Sequence, residues 1–347
     1  MNKKLLEELS NADAIAGNEQ EVRDIVLRES EGLCDEVLFD GLGSTILHRR
    51  GRDGSSLKIM FCAHMDEVGF AVRSISDIGF LYLMPVGGVR ENSQDMQMVR
   101  VTTADGTKVR GILNTIRDSS NHVAERYVDI GTETRDETLA RGIQIGDMVT
   151  FDSTCRFLSD AVAAGKAMDD RTGIFAMLEA MRRLERTECD LYFAATSSEE
   201  VGTRGGRTAS ELIQPDIVFA IDVANAPELT RDFTNCRKIG HGLMIEHYDK
   251  TLAPNRSLVM HVRSLCAGNS IPWQDDMMKG GGTDAGSAAL AGSGRLAMVL
   301  GIPLRYCHGP GSLAHLSDLE AMTDLIIAIA ENTGIREYSQ WTNYRGK

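Results

Sequence analysis

The sequence predicts an α/β fold: a doubly wound mixed sheet, interrupted by a small inserted all-β, barrel-like domain. Short unbroken apolar runs at residues 59–63, 191–196 and 217–221 have the texture of strands covered on both faces. They alternate with amphipathic helical segments, the order expected of a sheet flanked by helices. Between residues 71 and 160 the pattern changes to short alternating segments broken by Gly and Asp-Gly turns, which indicates the β-domain.

From the N-terminus, Leu5, Leu6 and Leu9 share one helical face, and Asn18-Glu-Gln-Glu21 reads as a capping box before Val22, Ile25 and Val26. The run at 59–63 then delivers His64 and Asp66 into a polar turn. The inserted region contributes Met98-Val-Arg-Val-Thr102, the turn Ala104-Asp-Gly-Thr107, Lys108-Val-Arg-Gly-Ile112 and Gly146-Asp-Met-Val-Thr-Phe151. Helical spacing returns at 172–184, with Ile174, Met177, Leu178 and Met181 on one face. Two more buried strands follow at 191–196 and 217–221, and Leu304-Arg-Tyr-Cys307 leads to His308. Ser317-Asp-Leu-Glu320 reads as the capping box of a last helix through Leu325, Ile326 and Ile329. The α/β domain is thus discontinuous, residues 1–70 with 161–347, around an insertion at 71–160.

A chain of 347 residues suits about two domains. Its net charge of −13 argues against nucleic acid and anionic membrane as partners, because a polyanion would be repelled. No apolar run approaches the roughly 20 residues that span a bilayer, and Met-Asn-Lys-Lys-Leu-Leu-Glu-Glu lacks a signal-peptide core, so a cytoplasmic location is expected. The seven cysteines are scattered, with no Cys-x-x-Cys pair, as suits reduced thiols; Cys307 stands beside His308.

The chemistry gathers at the ends of the predicted strands. His64 and Asp66 follow the first, Glu199-Glu200 follow the second and Asp222 the third, while His308 follows Cys307 and Asp169-Asp170 precede a helix. Ligands in an open α/β sheet collect at the carboxyl ends of strands, so these residues suggest one shared site. Two histidines with several carboxylates, and no thiolates at metal-ligand spacing, suit Zn²⁺, Co²⁺ or Mn²⁺. Two such ions can share a bridging carboxylate, hold a water as hydroxide and polarise the carbonyl it attacks. A nearby base must take the proton and return it to the leaving amine. Glu199 and Glu200 can divide these roles, one ligating while its neighbour faces the water. Of Asp169 and Asp170, one can serve the helix dipole while the other turns to metal. The glycine-rich stretch Gly280-Gly-Gly-Thr283-Asp284 would suit a loop lining a substrate pocket, with Gly282, Thr283 and Asp284 as its contacts. His48, His241, His247, His261 and His315 read as ordinary surface or hydrogen-bonded histidines. The cations Arg204, Arg207 and Arg256 have no position that the sequence determines.

Five motifs in order, Ala63-His64-Met-Asp66-Glu67-Val-Gly69, Gly165-Lys166-Ala-Met-Asp169-Asp170-Arg171, Ser198-Glu199-Glu200-Val-Gly202, Ile221-Asp222 and Gly281-Gly-Thr-Asp284, resemble the M42 metallopeptidases, the glutamyl-aminopeptidase family whose members form tetrahedral particles. The resemblance runs nearly end to end. It implies that Asp169 bridges two divalent ions, with His64 and Asp222 completing one site and Glu200 and His308 the other. It implies that Glu199 is the general acid/base and that Asp66 orients His64 through its second ring nitrogen. It also implies a β-domain used for dimerisation, a homododecamer built from dimers, and peptide substrates that lose their N-terminal residue. The chain departs from the family pattern at Cys307-His308-Gly309-Pro310, where relatives carry His-Ser-Pro followed closely by Glu, and around 114–123, where His122 has no assigned role. A deacylase acting on acylated amino acids is the alternative activity, and a catalytically silent assembly protein the alternative of another class.

Overall fold

The computed structural model describes residues 1–52, 57–185 and 187–345. Helices α1 (Lys3–Asn11) and α2 (Gln20–Glu29) precede the antiparallel pair β1 (Glu36–Phe39) and β2 (Thr45–Arg49) and the strand β3 (Lys58–His64). The chain then leaves the sheet for β4 (Gly69–Ile75), β5 (Leu81–Val86), β6 (Gln97–Thr102), β7 (Lys108–Arg117), β8 (Val123–Asp129), α3 (Arg135–Ala140) and β9 (Met148–Phe151). It returns through β10 (Arg156–Phe157), β11 (Val162–Gly165), α4 (Met168–Arg183), β12 (Asp190–Thr196), α5 (Arg204–Ile213), β13 (Ile217–Asn225) and β14 (Leu243–Glu246). The remainder is α6 (Arg256–Gly268), β15 (Trp273–Asp276), α7 (Asp284–Ala288), β16 (Leu296–Arg305), β17 (Ser312–His315), α8 (Leu316–Asn332) and α9 (Ile335–Trp341).

The main sheet runs β1-β2-β12-β3-β13-β16-β17-β11-β10, with β14 paired to β16 and β15 to β14. Its centre, β12-β3-β13-β16, is parallel and its flanks are antiparallel apart from the parallel pair β14–β15. Alternate side chains of β3 serve two cores. Ile59, Phe61 and Ala63 join Phe175 of α4 and Leu325 of α8, whereas Met60 and Cys62 join Ala209 and Ile213 of α5 and Ala288 of α7. Coverage on both faces is why the strand is apolar throughout instead of alternating. Phe61 stacks on Phe193 and on Phe219, with ring centroids 5.5 Å apart in each pair.

The excursion between β3 and β10 closes into an antiparallel barrel, β4-β5-β8-β7-β6-β9, around Phe70, Val72, Leu81, Val99, Leu113 and Phe151. The barrel strands lie between Gly69 and Phe151, while β10 already pairs with β11 in the main sheet. Asp13 joins the two bodies. Its buried carboxylate accepts from Arg100 at 2.7 Å, Lys108 at 2.6 Å and Thr150 at 2.8 Å on the barrel, and lies 3.1 Å from Lys166 of the main body. Burial works against its charge, but Lys166, Lys108 and Arg100 hold its pKa down at about 2.

Both predicted capping boxes are replaced by other contacts. Glu19, not Asn18, precedes α2, and Glu21 accepts from the Asp13 amide at 2.9 Å and pairs with Lys108 at 2.6 Å. At α8 the cap is His315, which accepts from the Ser317 amide at 3.3 Å. Asp318 instead accepts from the Gly240 and Gly242 amides, and Glu320 pairs with Arg183. In each case a long-range partner takes the carboxylate that the local pattern assigned to its own helix.

Candidate metal centre

The central strands end at one level, and their ends carry the polar residues. Thr196 of β12 lies opposite His64 of β3, and Ala220 of β13 opposite Cys62, so Asp222 reaches the level of His64 two residues later. Successive strands depart to opposite sides of β3, and the crevice at such a switch is where open sheets bind ligands. Asp169 comes from the start of α4. Its backbone (φ −84°, ψ 105°) and that of Asp170 (φ −119°, ψ 40°) are not helical, and the peptide bond between them is cis. Asp170 turns inward and accepts from the Gly173 amide at 3.1 Å and the His64 amide at 3.3 Å. A Cβ on Gly173 would stand 2.6 Å from both Asp170 oxygens, so a side chain there would displace this cap.

Asp169 faces the crevice between two imidazoles. Its Oδ1 lies 3.1 Å from His64 Nε2 and its Oδ2 lies 3.1 Å from His308 Nε2. Possible ligand atoms form triads that share it, His64 with Asp169 and Asp222, and Asp169 with Glu200 and His308, all atoms in each within 4.8 Å of one another. His64, Glu199 and Glu200 form another such triad. Each imidazole is anchored through its other nitrogen: His64 Nδ1 is 2.8 Å from the Asp66 carbonyl and His308 Nδ1 is 3.1 Å from the Gly88 carbonyl. A carbonyl can only accept, so Nδ1 carries a proton in each ring and Nε2 is the nitrogen turned to the cluster, donating to Asp169 here and able to offer its lone pair to a metal once that proton leaves.

Burial is the main cost of charge here. It pushes Glu199 and Asp222 well above the carboxylate range and Glu200 up to about 7, with Asp169 adding repulsion at the last two. Burial also opposes ionisation of Asp169, but hydrogen bonds from His308 and His64 outweigh it and hold that carboxyl below its ordinary value. Against burial, contacts with Asp169 raise His308 to about 9 and His64 well above its usual value. These shifts mark the space between each Nε2 and Asp169 as favourable for positive charge. Four carboxylates and two imidazoles make up these triads with no cysteine among them, although the Cys307 thiol also lines the cleft, and the set fits two divalent cations.

A cleft of about 690 Å³ opens over the centre and is lined by His64, Asp169, Glu199, Glu200, Asp222 and His308. Gly282 and Thr283 also line it, but the Thr283 hydroxyl has structural partners, donating to Asp249 at 3.1 Å and accepting from the Ala285 amide at 3.3 Å. Two expected site residues lie elsewhere. Asp284 is buried outside the cleft lining, facing the Thr196 hydroxyl and the Gly206 amide, and burial pushes it to about 6. Gly206 permits that approach, since a Cβ there would lie 2.6 Å from Asp284 Cβ. Asp66 also lies outside the lining, and its carboxylate is 3.6 Å from His64 Nδ1, whose proton its own carbonyl already accepts. The Asp66 carboxylate accepts instead from the Glu199 and Glu200 amides, each at 3.0 Å. It holds the turn and adds to the Asp169 contact in raising His64, without lining the cleft.

The sequence reading missed Glu19, which grips that turn by accepting from Ser197 Oγ at 2.6 Å and the Ser198 amide at 3.2 Å. Its pattern signals a helix start, and the tertiary fold alone brings it to Ser197. Also missed were Arg90, Arg237 and Lys250, which line the cleft, whereas Arg204, Arg207 and Arg256 do not. Neither do His48, His122, His241, His247, His261 and His315.

Residues 43–325 match the family model described as M42 glutamyl aminopeptidase. The chain is 33% identical to FrvX of Escherichia coli K12, with 99% of each covered. Among solved structures, the aminopeptidase APDkam598 of the archaeon Desulfurococcus kamchatkensis superposes with a TM-score of 0.95 at 32% identity, covering 99% of this chain and 98% of that one. The TET1 peptidase of Pyrococcus horikoshii, whose description says that it can assemble into a tetrahedron or a large octahedral shell, gives 0.86 at 29% identity over 95% of this chain and 99% of that one. With these likenesses running the length of the fold, the chain belongs to the M42 glutamyl aminopeptidase family and is a metalloaminopeptidase.

Proposed function

We propose that the protein releases the N-terminal residue of peptides at a centre of two divalent ions, one held by His64, Asp169 and Asp222 and the other by Asp169, Glu200 and His308. The observation that carries this reading is Asp169, which presents one oxygen to each imidazole at 3.1 Å. Zn²⁺ or Co²⁺, with Mn²⁺ as a further candidate, would supply Lewis acidity toward the scissile carbonyl and acidify the attacking water. Glu199 has its carboxylate at the cleft and its amide held by Asp66. It takes the proton of the attacking water on a carboxylate oxygen and returns it to the departing amine. His64 and His308 keep their lone pairs aimed because the Asp66 and Gly88 carbonyls fix each tautomer.

Self-association into a homododecamer built from dimers, through the barrel, is part of this reading. Support comes from the assembly described for the Pyrococcus horikoshii relative and from apolar side chains left open on the barrel. Met98 and Ile112 lie directly opposite each other on β6 and β7 and are 47% and 42% exposed. The seven free cysteines support a cytoplasmic location, and no helix among the described residues is long and apolar enough to cross a membrane.

The test is turnover of free-amine aminoacyl p-nitroanilides and their N-acetylated counterparts by chelator-stripped protein, with Zn²⁺ or Co²⁺ restored. Metal-dependent release from the free amines alone is expected, with Glu199→Gln lowering kcat by about 10²–10⁴ while still binding metal. Release of acetate from the N-acetylated compounds, with no p-nitroaniline from the free amines, would replace the aminopeptidase with a deacylase.

A further inference from the structure

Lys166 and Arg171 stand on either side of Asp169 in sequence, take no part in the proposed chemistry and are fully buried. Three acceptors surround Lys166 Nζ: the Ala12 carbonyl at 2.9 Å, Glu67 Oε1 at 2.5 Å and Asp13 Oδ1 at 3.1 Å. An ammonium has three N–H groups, so none is left over. Arg171 donates from Nε to the Met65 carbonyl at 2.8 Å and from Nη1 to the Leu9 and Ala12 carbonyls at 2.6 and 3.0 Å. Its Nη2 lies 3.5 Å from Glu67. These two cations and the buried carboxylates Asp13 and Glu67 balance one another away from water. A well-packed apolar set often fills such a site at equal or lower free energy, so stability alone does not account for the four charges. The segments they join do.

Both cations tie the segment that carries Asp169 to the turn after β3 that carries His64. Arg171 reaches the carbonyl of Met65, between His64 and Asp66, and Lys166 reaches Glu67. Glu67 is itself pinned to Ala14, its amide donating to the Ala14 carbonyl at 2.8 Å and its carboxylate accepting from the Ala14 amide at 3.3 Å. Across this joint His64 Nε2 and Asp169 Oδ1 stand 3.1 Å apart. The network continues into the barrel, because the Asp13 carboxylate that faces Lys166 also accepts from Arg100 of β6, Lys108 of β7 and Thr150 of β9. Neither Arg100 nor Lys108 lines the cleft. A line of buried contacts thus leads from Lys108 through Asp13, Lys166 and Glu67 to the His64 turn.

We infer that Lys166 and Arg171 are positioning residues that fix the spacing of His64 and Asp169, and that Asp13 extends this clamp to the barrel, so that the barrel's seating bears on the centre's affinity for metal. The inference rests on the two-ion reading and deepens it. Its links are charge-assisted hydrogen bonds, short and directional. They cross a close-packed interior, which transmits a displacement and does not absorb it.

The experiment titrates metal-stripped parent, Lys108→Met, Lys108→Arg and Lys166→Met calorimetrically with Zn²⁺ or Co²⁺, and follows amide hydrogen exchange of the stripped proteins by mass spectrometry. Lys166→Met strands Glu67 in the interior and can cost the fold. Lys108 is partly exposed, and Arg100, Thr150 and Lys166 still hold Asp13 without it, so Lys108→Met is the decisive variant. The metal dissociation constant is expected to rise about 2- to 30-fold in Lys108→Met and about 10- to 100-fold in Lys166→Met, with recovery in Lys108→Arg. Exchange in Lys108→Met is expected to quicken in peptides spanning residues 60–70 and 166–174 and to stay unchanged across α6. Metal binding by Lys108→Met equal to the parent's, or exchange that quickens evenly along the chain, overturns the clamp and leaves the two-ion reading standing. If the parent itself binds no divalent ion, the two-ion reading fails and exchange decides the clamp separately. Quickening confined to the two segments then supports it, and even or absent quickening overturns it.

Discussion

At the scale of single residues, the centre depends on how two carboxylates are used away from substrate. Asp66 and Glu19 hold the turn that carries Glu199 from two sides, through its amides and its serines. In Asp66→Asn, an amide group would face the Glu199 and Glu200 amides, and one of those contacts turns repulsive. We expect kcat to fall about 10- to 100-fold, with metal content retained because the Asp66 carbonyl, which survives the substitution, is what orients His64. Unchanged kcat, or lost metal, would sink this account. The convergence of the proposed ligands His64, Asp169, Glu200, Asp222 and His308 was legible in the sequence because each stands where a local pattern ends, at a strand terminus or a helix start. The duties of Asp66, Glu19, Lys166 and Arg171 were not, because they depend on which amides, carbonyls and charges the folded turns leave over. Asp284 shows the ambiguity in reverse: it opens α7 and lies outside the cleft that Thr283 lines, and a helix start and a substrate loop can be written with the same residues.

Among elements, β3 is paired on both edges, covered on both faces and ends in His64. Phe61, fully buried between Phe193 and Phe219, anchors it. Phe61→Ala is expected to lower stability by about 3–5 kcal/mol, read from the urea midpoint of metal-stripped protein. A loss below about 1 kcal/mol would mean that the three-ring stack is not what secures the strand. The strands were readable because coverage on both faces leaves a continuous apolar run. The helix starts at Asn18 and Ser317 were misread because Glu21, Asp318 and Glu320 found partners far away in sequence.

For the whole molecule, the joint between barrel and main body is electrostatic and should weaken in acid. Asp13 has a folded pKa of about 2 against an ordinary 3.8, so its stabilisation is complete above about pH 4 and is lost as pH falls through 2. The shift corresponds to about 2 kcal/mol. Stability of Asp13→Asn, measured between pH 5 and pH 2, should fall less than that of the parent by about this amount. The proposed assembly gives a second expectation: Met98→Glu combined with Ile112→Glu should reduce the mass in sedimentation while leaving the α/β circular dichroism unchanged. An unaltered mass would move the interface off this face. The barrel's place in the chain also sets an order of events during synthesis. β3 leaves the ribosome before the barrel, but its neighbours β12 and β13 are translated after it. The barrel pairs strands close in sequence and can close early, while β3 waits without a lateral partner. A nascent chain stalled after α4 would therefore display a finished barrel beside an unpaired apolar strand, the state in which this protein most needs a chaperone.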